Sequence, residues 1–414
     1  MSDKLAIDGG TPVRTEPFPA RGLIGEEERA AGMAVFDEAI RTGNASGYGG
    51  EFEQQYEKDF AAFMGGGFAD AVNSGTNAVY CALGALQIDA LSEIIVPAIT
   101  DPGGMMPVPL LGCVPVVADT DPRSYNTCAA EIEPLITERT RAIIVAHIGG
   151  EPVDMDPVIE LARKHNLYLV EDCAQAHGAR YRGRLVGTMG DVACFSTMFG
   201  KHHCTGGQGG VVHTEDEELY WRIKRFADRG KPFNLEGESG NVVAGLNCNL
   251  NDLAAAIGSA QLQKLPGILA CRRAIGDAIR DRLGAGGPVT VGWQVPDTQC
   301  VYWFLRLKLD PDAVRVDKKT FCAALGAEGL PVTDSYRAIP AERPWHINQA
   351  VFGTSGFPWA CSDYAGPREL QLKIDNAVAV TDTHFNIGVH ENYGEREIDD
   401  ILAAIDKVGA AYAR

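Results

Sequence analysis

The chain has 414 residues, 45% hydrophobic and 22% charged, ample for a buried core and incompatible with a disordered chain. Its 37 basic against 55 acidic side chains leave a formal charge of −18, a field that repels phosphate backbones and anionic lipid surfaces and so excludes nucleic acid as a natural partner. No apolar run approaches the roughly 20 residues of a bilayer span, and the opening residues lack the basic-then-apolar pattern of an export signal, so a cytoplasmic protein is expected. Two domains fit the length. The eleven cysteines contain no Cys-x-x-Cys pair; they read as reduced, mostly buried thiols, and no metal site is expected.

Residues 25–40 and 51–64 carry apolar side chains at helical spacing and predict two helices. Short apolar runs follow at 93–97, 114–118, 142–147 and 167–172, separated by helical segments such as 157–165. Runs apolar on both faces predict a mostly parallel sheet covered by helices, an α/β architecture whose ligands gather at the carboxyl ends of the strands. After a further short strand at 191–196, a glycine-rich stretch at 204–210 breaks the pattern, as backbone does where it must approach something closely. A strand at 211–213, a helix at 215–227 and a long helical stretch from 250 to 283 come next. From about 286 the register changes. Residues 301–309 alternate like an antiparallel strand, and 318–329 and 397–411 read as helices. This places a large unit over residues 1–264 and a smaller C-terminal α+β unit over 265–414.

Asp172 ends an apolar run, which puts a carboxylate at the carboxyl end of a buried strand. An aspartate there ordinarily caps the next helix, but Gln175 and His177 follow where a core helix would be apolar. Lys201 lies between the strand ending at Ser196 and the glycine-rich stretch, where a partly desolvated amine can lose its proton and attack a carbonyl carbon. Residues 73–78 precede a helix; the unpaired N–H groups and hydroxyl at such a start form a seat for phosphate, although Ser and Thr caps are common. A phosphate seat, a strand-end carboxylate and an amine, in this order, suggest pyridoxal phosphate.

Several motifs in order make the resemblance specific: Gly9-Gly-Thr-Pro-Val13, Tyr48-Gly-Gly-Glu-Phe-Glu53, Ser74-Gly-Thr76, Ile95-Val-Pro-Ala98, Glu171-Asp-Cys-Ala-Gln-Ala-His-Gly178, Lys201, Thr205-Gly-Gly-Gln-Gly-Gly210, Gly245-Leu-Asn-Cys-Asn249 and Ala255-Ala-Ile-Gly-Ser-Ala-Gln261. Together they resemble the sugar aminotransferases named for DegT and StrS, a branch of the fold-type I pyridoxal-phosphate enzymes. The resemblance implies that Lys201 forms the imine with the cofactor and shuttles the proton. Asp172 would pair with the pyridine nitrogen, and Gln175 would contact the ring hydroxyl. Gly75, Thr76 and Ser196 would hold the phosphate, joined by Asn247 from a second subunit of a homodimer. It implies an aminotransferase moving the amino group of glutamate or glutamine to a keto-sugar or keto-cyclitol in amino-sugar or secondary-metabolite biosynthesis.

The chain departs from the family pattern at identifiable places. Asp101 stands where an aromatic residue stacks on the ring, Gln208 where the family has Glu, and Asn249 where it has Arg. Residues 196–200 and 384–393 also differ from the common patterns, and these changes bear on the acceptor. Two alternatives follow: a dehydrating or aromatising enzyme of the aminohydroxybenzoate-synthase type, and a cofactor-binding regulatory protein without turnover. Retention of Lys201 argues against the family's dehydratases, in which His is expected at that place. His147, His177, Tyr336, Arg337, His384 and His390 are candidate acceptor contacts, each equally readable as an ordinary core or surface group. Residues 301–304 are expected to be core strand, outside the substrate pocket.

Overall fold

The structure, a computed structural model, describes residues 4–284 and 286–414. In chain order the elements are α1 (Glu26–Thr42), α2 (Glu51–Met64), β1 (Phe68–Val72), α3 (Gly75–Ala85), β2 (Glu93–Pro97), α4 (Pro107–Leu110), β3 (Val114–Ala118), α5 (Ala129–Ile132), β4 (Thr140–Ala146), α6 (Met155–His165) and β5 (Tyr168–Asp172). They continue with β6 (Arg180–Tyr181), β7 (Arg184–Leu185), β8 (Val192–Ser196), β9 (Gly210–Thr214), α7 (Glu217–Ala227), α8 (Asp252–Leu283), β10 (Val289–Val291), β11 (Thr298–Gln299) and β12 (Leu305–Leu309). The chain closes with α9 (Lys318–Ala327), β13 (Val332–Thr333), α10 (Pro344–Ile347), α11 (Asp375–Thr383), β14 (His384–Ile387) and α12 (Glu395–Tyr412).

Seven strands form the central sheet in the order β1-β9-β8-β5-β4-β2-β3. Only β9 runs against the others. Residues such as Ile94, Val96, Ile143, Ile144 and Val170 are apolar on both faces because helices cover both sides, and all are buried. The crossovers bring the carboxyl ends of β2, β4, β5 and β8 to one edge of the sheet, where the loops carrying polar residues begin. β3 is the outer strand at one margin. Its Val114 N–H donates to the Ser92 carbonyl before β2, so the backbone nitrogen of the next residue, the buried Pro115, is turned away from β2, and Val114 packs with Trp359 and Tyr364 from the C-terminal half.

The predicted long helix is one piece, α8, unbroken at Pro266. Leu262, Leu265 and Leu269 pack on the large sheet with Tyr56 and Phe60, whereas Ile275 and Ile279 pack with Leu307, Phe321 and Phe385 around a second, antiparallel sheet, β10-β12-β14-β13. The first residues strap onto this second sheet's unit: Arg14 pairs with Asp400 at 2.7 Å and with Glu397 at 3.1 Å, and Leu5 lies in its core. One buried ion pair, Arg306 Nη2 to Glu151 Oε2 at 2.7 Å, ties β12 to the loop after β4.

One expectation fails here. The alternating run predicted as a strand over 301–309 is strand only from Leu305. Residues 301–304 are a loop because Val301 and Trp303 donate their N–H groups to Gly150 and Gly149 at 3.0 and 2.8 Å, and Tyr302 between them takes a left-handed φ of 45°. These two bonds hold the segment against the large sheet's loops instead of extending the small sheet. All eleven cysteines are free thiols, and no described helix is long and apolar enough to cross a membrane.

Candidate active site

The site is assembled at the carboxyl edge of the central sheet. β5 ends in Asp172, which is 9% exposed among apolar neighbours. Its Oδ1 accepts the Ala174 N–H at 3.0 Å, while Oδ2 takes no hydrogen bond from the described residues. Burial pushes this carboxyl above the ordinary range, against the Ala174 N–H and the charge of Lys201, which pull it down. A buried carboxylate oxygen without a partner suits a positively charged N–H donor.

β8 ends in Ser196, and the tight turn after it carries Lys201, 6% exposed. Burial pulls the amine below the usual lysine range, opposed by Asp172 and Asp101. The turn is held from behind: Arg21 donates to the Lys201 carbonyl at 2.7 Å and the His202 carbonyl at 3.1 Å, and its Nε pairs with Glu391. His202 and His203 point into the core, toward the Val301 carbonyl and the Tyr56 hydroxyl, and burial keeps both neutral, His203 at about 3. Lys201 alone of the three offers its side chain to the site.

α3 begins where β1 ends. Ser74 caps it by accepting the Asn77 N–H at 3.1 Å, leaving the N–H groups of Gly75 and Thr76 without acceptors among the described residues. A Cβ on Gly75 would lie 2.6 Å from that of Ser196, so glycine is needed for the helix start to meet the β8 end. Gln175 is already engaged: its Oε1 accepts the Gly149 N–H at 2.8 Å and its Nε2 donates to Tyr336 Oη at 2.6 Å, with one amide hydrogen left over. Asn247 is exposed, accepting from Asn249 of its own chain at 2.8 Å.

Asp101, in place of the aromatic residue that the resemblance expects, accepts the Gly103 N–H at 2.9 Å and so caps a tight turn over Pro102–Gly104. A Cβ on Gly104 would stand 2.6 Å from Thr100 Oγ1 and 2.9 Å from Asp172 Oδ2. A Cβ on Gly103 would stand 2.3 Å from Thr76 Oγ1. Bare backbone therefore fills this side of the site. The Asp-Pro-Gly-Gly run was the signal for it.

Of the six candidate acceptor contacts, only Tyr336 bonds the side chain of a predicted site residue among the described residues. Its ring packs on Tyr125 and edge-on to Trp303. His147 is core: Nδ1 accepts the Val153 N–H, so Nε2 donates to Glu171 at 3.2 Å. Glu171 also takes the N–H groups of Gly187, Met189 and Gly190, which accounts for the close grouping of His147, Glu171 and Cys173 without an ion. His177 is buried beside Phe195, His202 and His203. Arg337 is paired with Glu342 on the surface, and His384 and His390 bond the carbonyls of Val380 and Pro19.

Sequence reasoning placed residues 301–304 in a core strand and missed Trp303. Its ring lies over the Lys201 amine, 4.1 Å from Nζ to the centroid. Val301, Tyr302 and Phe304 are buried as expected, but the loop turns Trp303, half-buried, toward the lysine. The backbone bonds to Gly149 and Gly150 that cause this leave no trace in side-chain periodicity.

Comparison with known proteins bears on the family and the fold. The family profile described as DegT/DnrJ/EryC1/StrS aminotransferase matches residues 26–405. The chain is 34% identical over 360 residues to a GDP-perosamine synthase of Caulobacter vibrioides, covering 87% of this chain and 90% of that one. It is 31% identical over 362 residues to the L-glutamine:scyllo-inosose aminotransferase of Streptomyces griseus, covering 83% and 84%. The crystal structure of an aminotransferase from Psychrobacter cryohalolentis superposes with a TM-score of 0.83 at 28% identity, over 96% of this chain and all of that one. A chain matched over almost its whole length, in sequence and in fold, is an enzyme of this kind: it belongs to the DegT/DnrJ/EryC1/StrS aminotransferase family.

Proposed function

We propose that this aminotransferase works with pyridoxal phosphate, takes an amino group from glutamate or glutamine, and delivers it to a ketone on a sugar or cyclitol. One juxtaposition carries the reading: a buried amine, Lys201, a buried carboxylate with a free oxygen, Asp172, and the free N–H groups of Gly75 and Thr76 share one edge of the sheet. The product named for one relative, a GDP-linked amino sugar, and the acceptor named for the other, an inosose, support the substrate class.

These residues fit the cofactor. Bound there, it supplies a protonated, electron-withdrawing ring that stabilises negative charge on the carbon next to the transferred nitrogen. The rest is the chain's work. Gly75, Thr76 and Ser196 bind the phosphate at the positive end of α3, and Asp172 Oδ2 holds a proton on the ring nitrogen. Gln175, fixed by Gly149 and Tyr336, turns its spare amide hydrogen to the ring oxygen. Lys201 Nζ takes the proton from the donor's α-carbon and returns it on the opposite side of the transferred nitrogen, the roles reversing with the acceptor. The Gly103–Gly104 backbone and the Trp303 ring exclude water. We place the division between the cofactor-holding unit, 1–264, and the smaller unit, 265–414, within α8.

The reading is tested on the purified chain loaded with pyridoxal phosphate. Borohydride should fix the cofactor to Lys201, found as a mass-tagged peptide, and glutamate alone should yield one equivalent of 2-oxoglutarate per site. A tag on another residue, or no keto acid from either donor, overturns it.

A second copy completes the site in this proposal. Large apolar side chains lie bare on the surface: Phe199, two residues before Lys201, is 67% exposed, Leu246 beside Asn247 is 55% exposed, and Met33, Phe36 and Ile40 form a stripe along α1. Such surface is unusual on a monomer. Sedimentation should therefore find a species of two chains at micromolar concentration; a single chain there would remove Asn247 from the site.

A further inference from the structure

Lys201 is surrounded by charge yet bonded to none. Among the described residues no acceptor hydrogen-bonds Nζ, and its one close partner is the face of Trp303 at 4.1 Å. Asp172 and Asp101 act on the amine through space, and the nearby His177 is kept neutral by burial. Arg21 engages the backbone of its turn, the ring of His202 is bonded away to the Val301 carbonyl, and Tyr336 stands beyond the indole.

The indole is fixed to the same turn. Its Nε1–H donates to the Gly200 carbonyl at 2.9 Å, one residue before the lysine, so ring and amine are held in one frame. The backbone delivering it is strained: Tyr302, with φ 45°, sits in a region that large side chains rarely occupy. It stays there because Arg272 holds its carbonyl at 3.0 Å, and because Gly276 of α8 leaves room for its ring, where a Cβ would overlap it. Strain maintained by surrounding structure is common at functional positions. Here its effect is to turn Trp303 out of the core and over the amine.

We propose that Trp303 is a positioning residue for Lys201: its ring face is the resting place of the amine whenever that amine is not joined to the cofactor, holding it, proton included, within reach of the reacting carbons. This rests on the reading of Lys201 as the cofactor's lysine. An ammonium over an indole face is attracted by the ring quadrupole, most strongly where water is excluded. The face accepts no proton and forms no directional bond, so the amine can leave it without breaking a hydrogen bond.

The test uses the full chain loaded with pyridoxamine phosphate, which has no aldehyde and leaves Lys201 free. Acylation of Lys201 by acetic anhydride is followed against pH by peptide mass spectrometry. Trp303→Met, which fills space without a ring, should lower the labelling midpoint by about half to one pH unit, because losing the face disfavours the ammonium. Trp303→Phe should retain most of the wild-type midpoint. Replacing the five tryptophans biosynthetically with increasingly fluorinated analogues weakens the face at nearly constant shape, and should lower the midpoint in steps even if the Met variant does not fold. A midpoint unmoved across the fluorinated series overturns the proposal. Borohydride trapping of the wild-type aldehyde form separates the two failures: a tag on Lys201 with an unmoved midpoint sinks only the role of Trp303, whereas absence of the tag sinks the reading beneath it.

Discussion

Lys201→Ala should lower turnover by about 10⁴-fold or more while leaving the fold intact, because it removes both the covalent attachment and the only buried amine able to move the proton. Arginine is no substitute, since a guanidinium keeps its proton at any working pH. Added ethylamine should restore part of the lost rate by entering the vacated space, a rescue that a merely structural lysine would not permit. The measurement is the single-turnover rate of the glutamate half-reaction. A Lys201→Ala enzyme within tenfold of wild type would show that the proton is carried by another group.

Asp172→Asn should cost about 10²–10³-fold in kcat, the scale seen when one preorganised electrostatic partner is removed. The amide occupies the same space but cannot hold a proton on the ring nitrogen. A pH signature accompanies the loss. Burial raises the Asp172 carboxyl above an ordinary aspartate, so in the empty site it takes up its proton at higher pH than an exposed one. Cofactor affinity that needs the carboxylate is therefore full above that raised value and falls as pH drops through it. Titration of the cofactor dissociation constant should show this fall in the wild type and a nearly flat profile in the Asn variant. A wild-type profile as flat as the variant's would deny Asp172 its charge-pairing role.

The residues legible in the sequence were those whose position is marked by local pattern. Asp172 and Ser196 end apolar runs, and a run that is apolar on both faces has few places to go except the middle of a covered sheet; Gly75 and Thr76 open a helix behind a Ser cap. Trp303 was illegible for the opposite reason. Its neighbours alternate as a strand does, and the bonds that pull the segment off the sheet come from the backbone of Gly149 and Gly150, about 150 residues earlier in the chain. Asp101 was seen as a departure, but what replaces the aromatic ring became visible only when Gly103 and Gly104 were found against Thr76 and Asp172. Among the histidines, sequence could not separate the core from the site: whether a ring meets a carbonyl, as His202 does, or a substrate depends on contacts made across the whole fold.

Pro115, whose backbone nitrogen lies on the outer side of β3, has a consequence for the protein's behaviour at high concentration. A free sheet margin is a template on which a strand of another molecule can add. At Pro115 the ladder lacks a donor and cannot be extended regularly, and Trp359 and Tyr364, buried against Val114, shield the start of the strand. Truncating the chain after α8 would uncover that margin, and the shortened protein should precipitate for this reason even though every residue of the central sheet is still present.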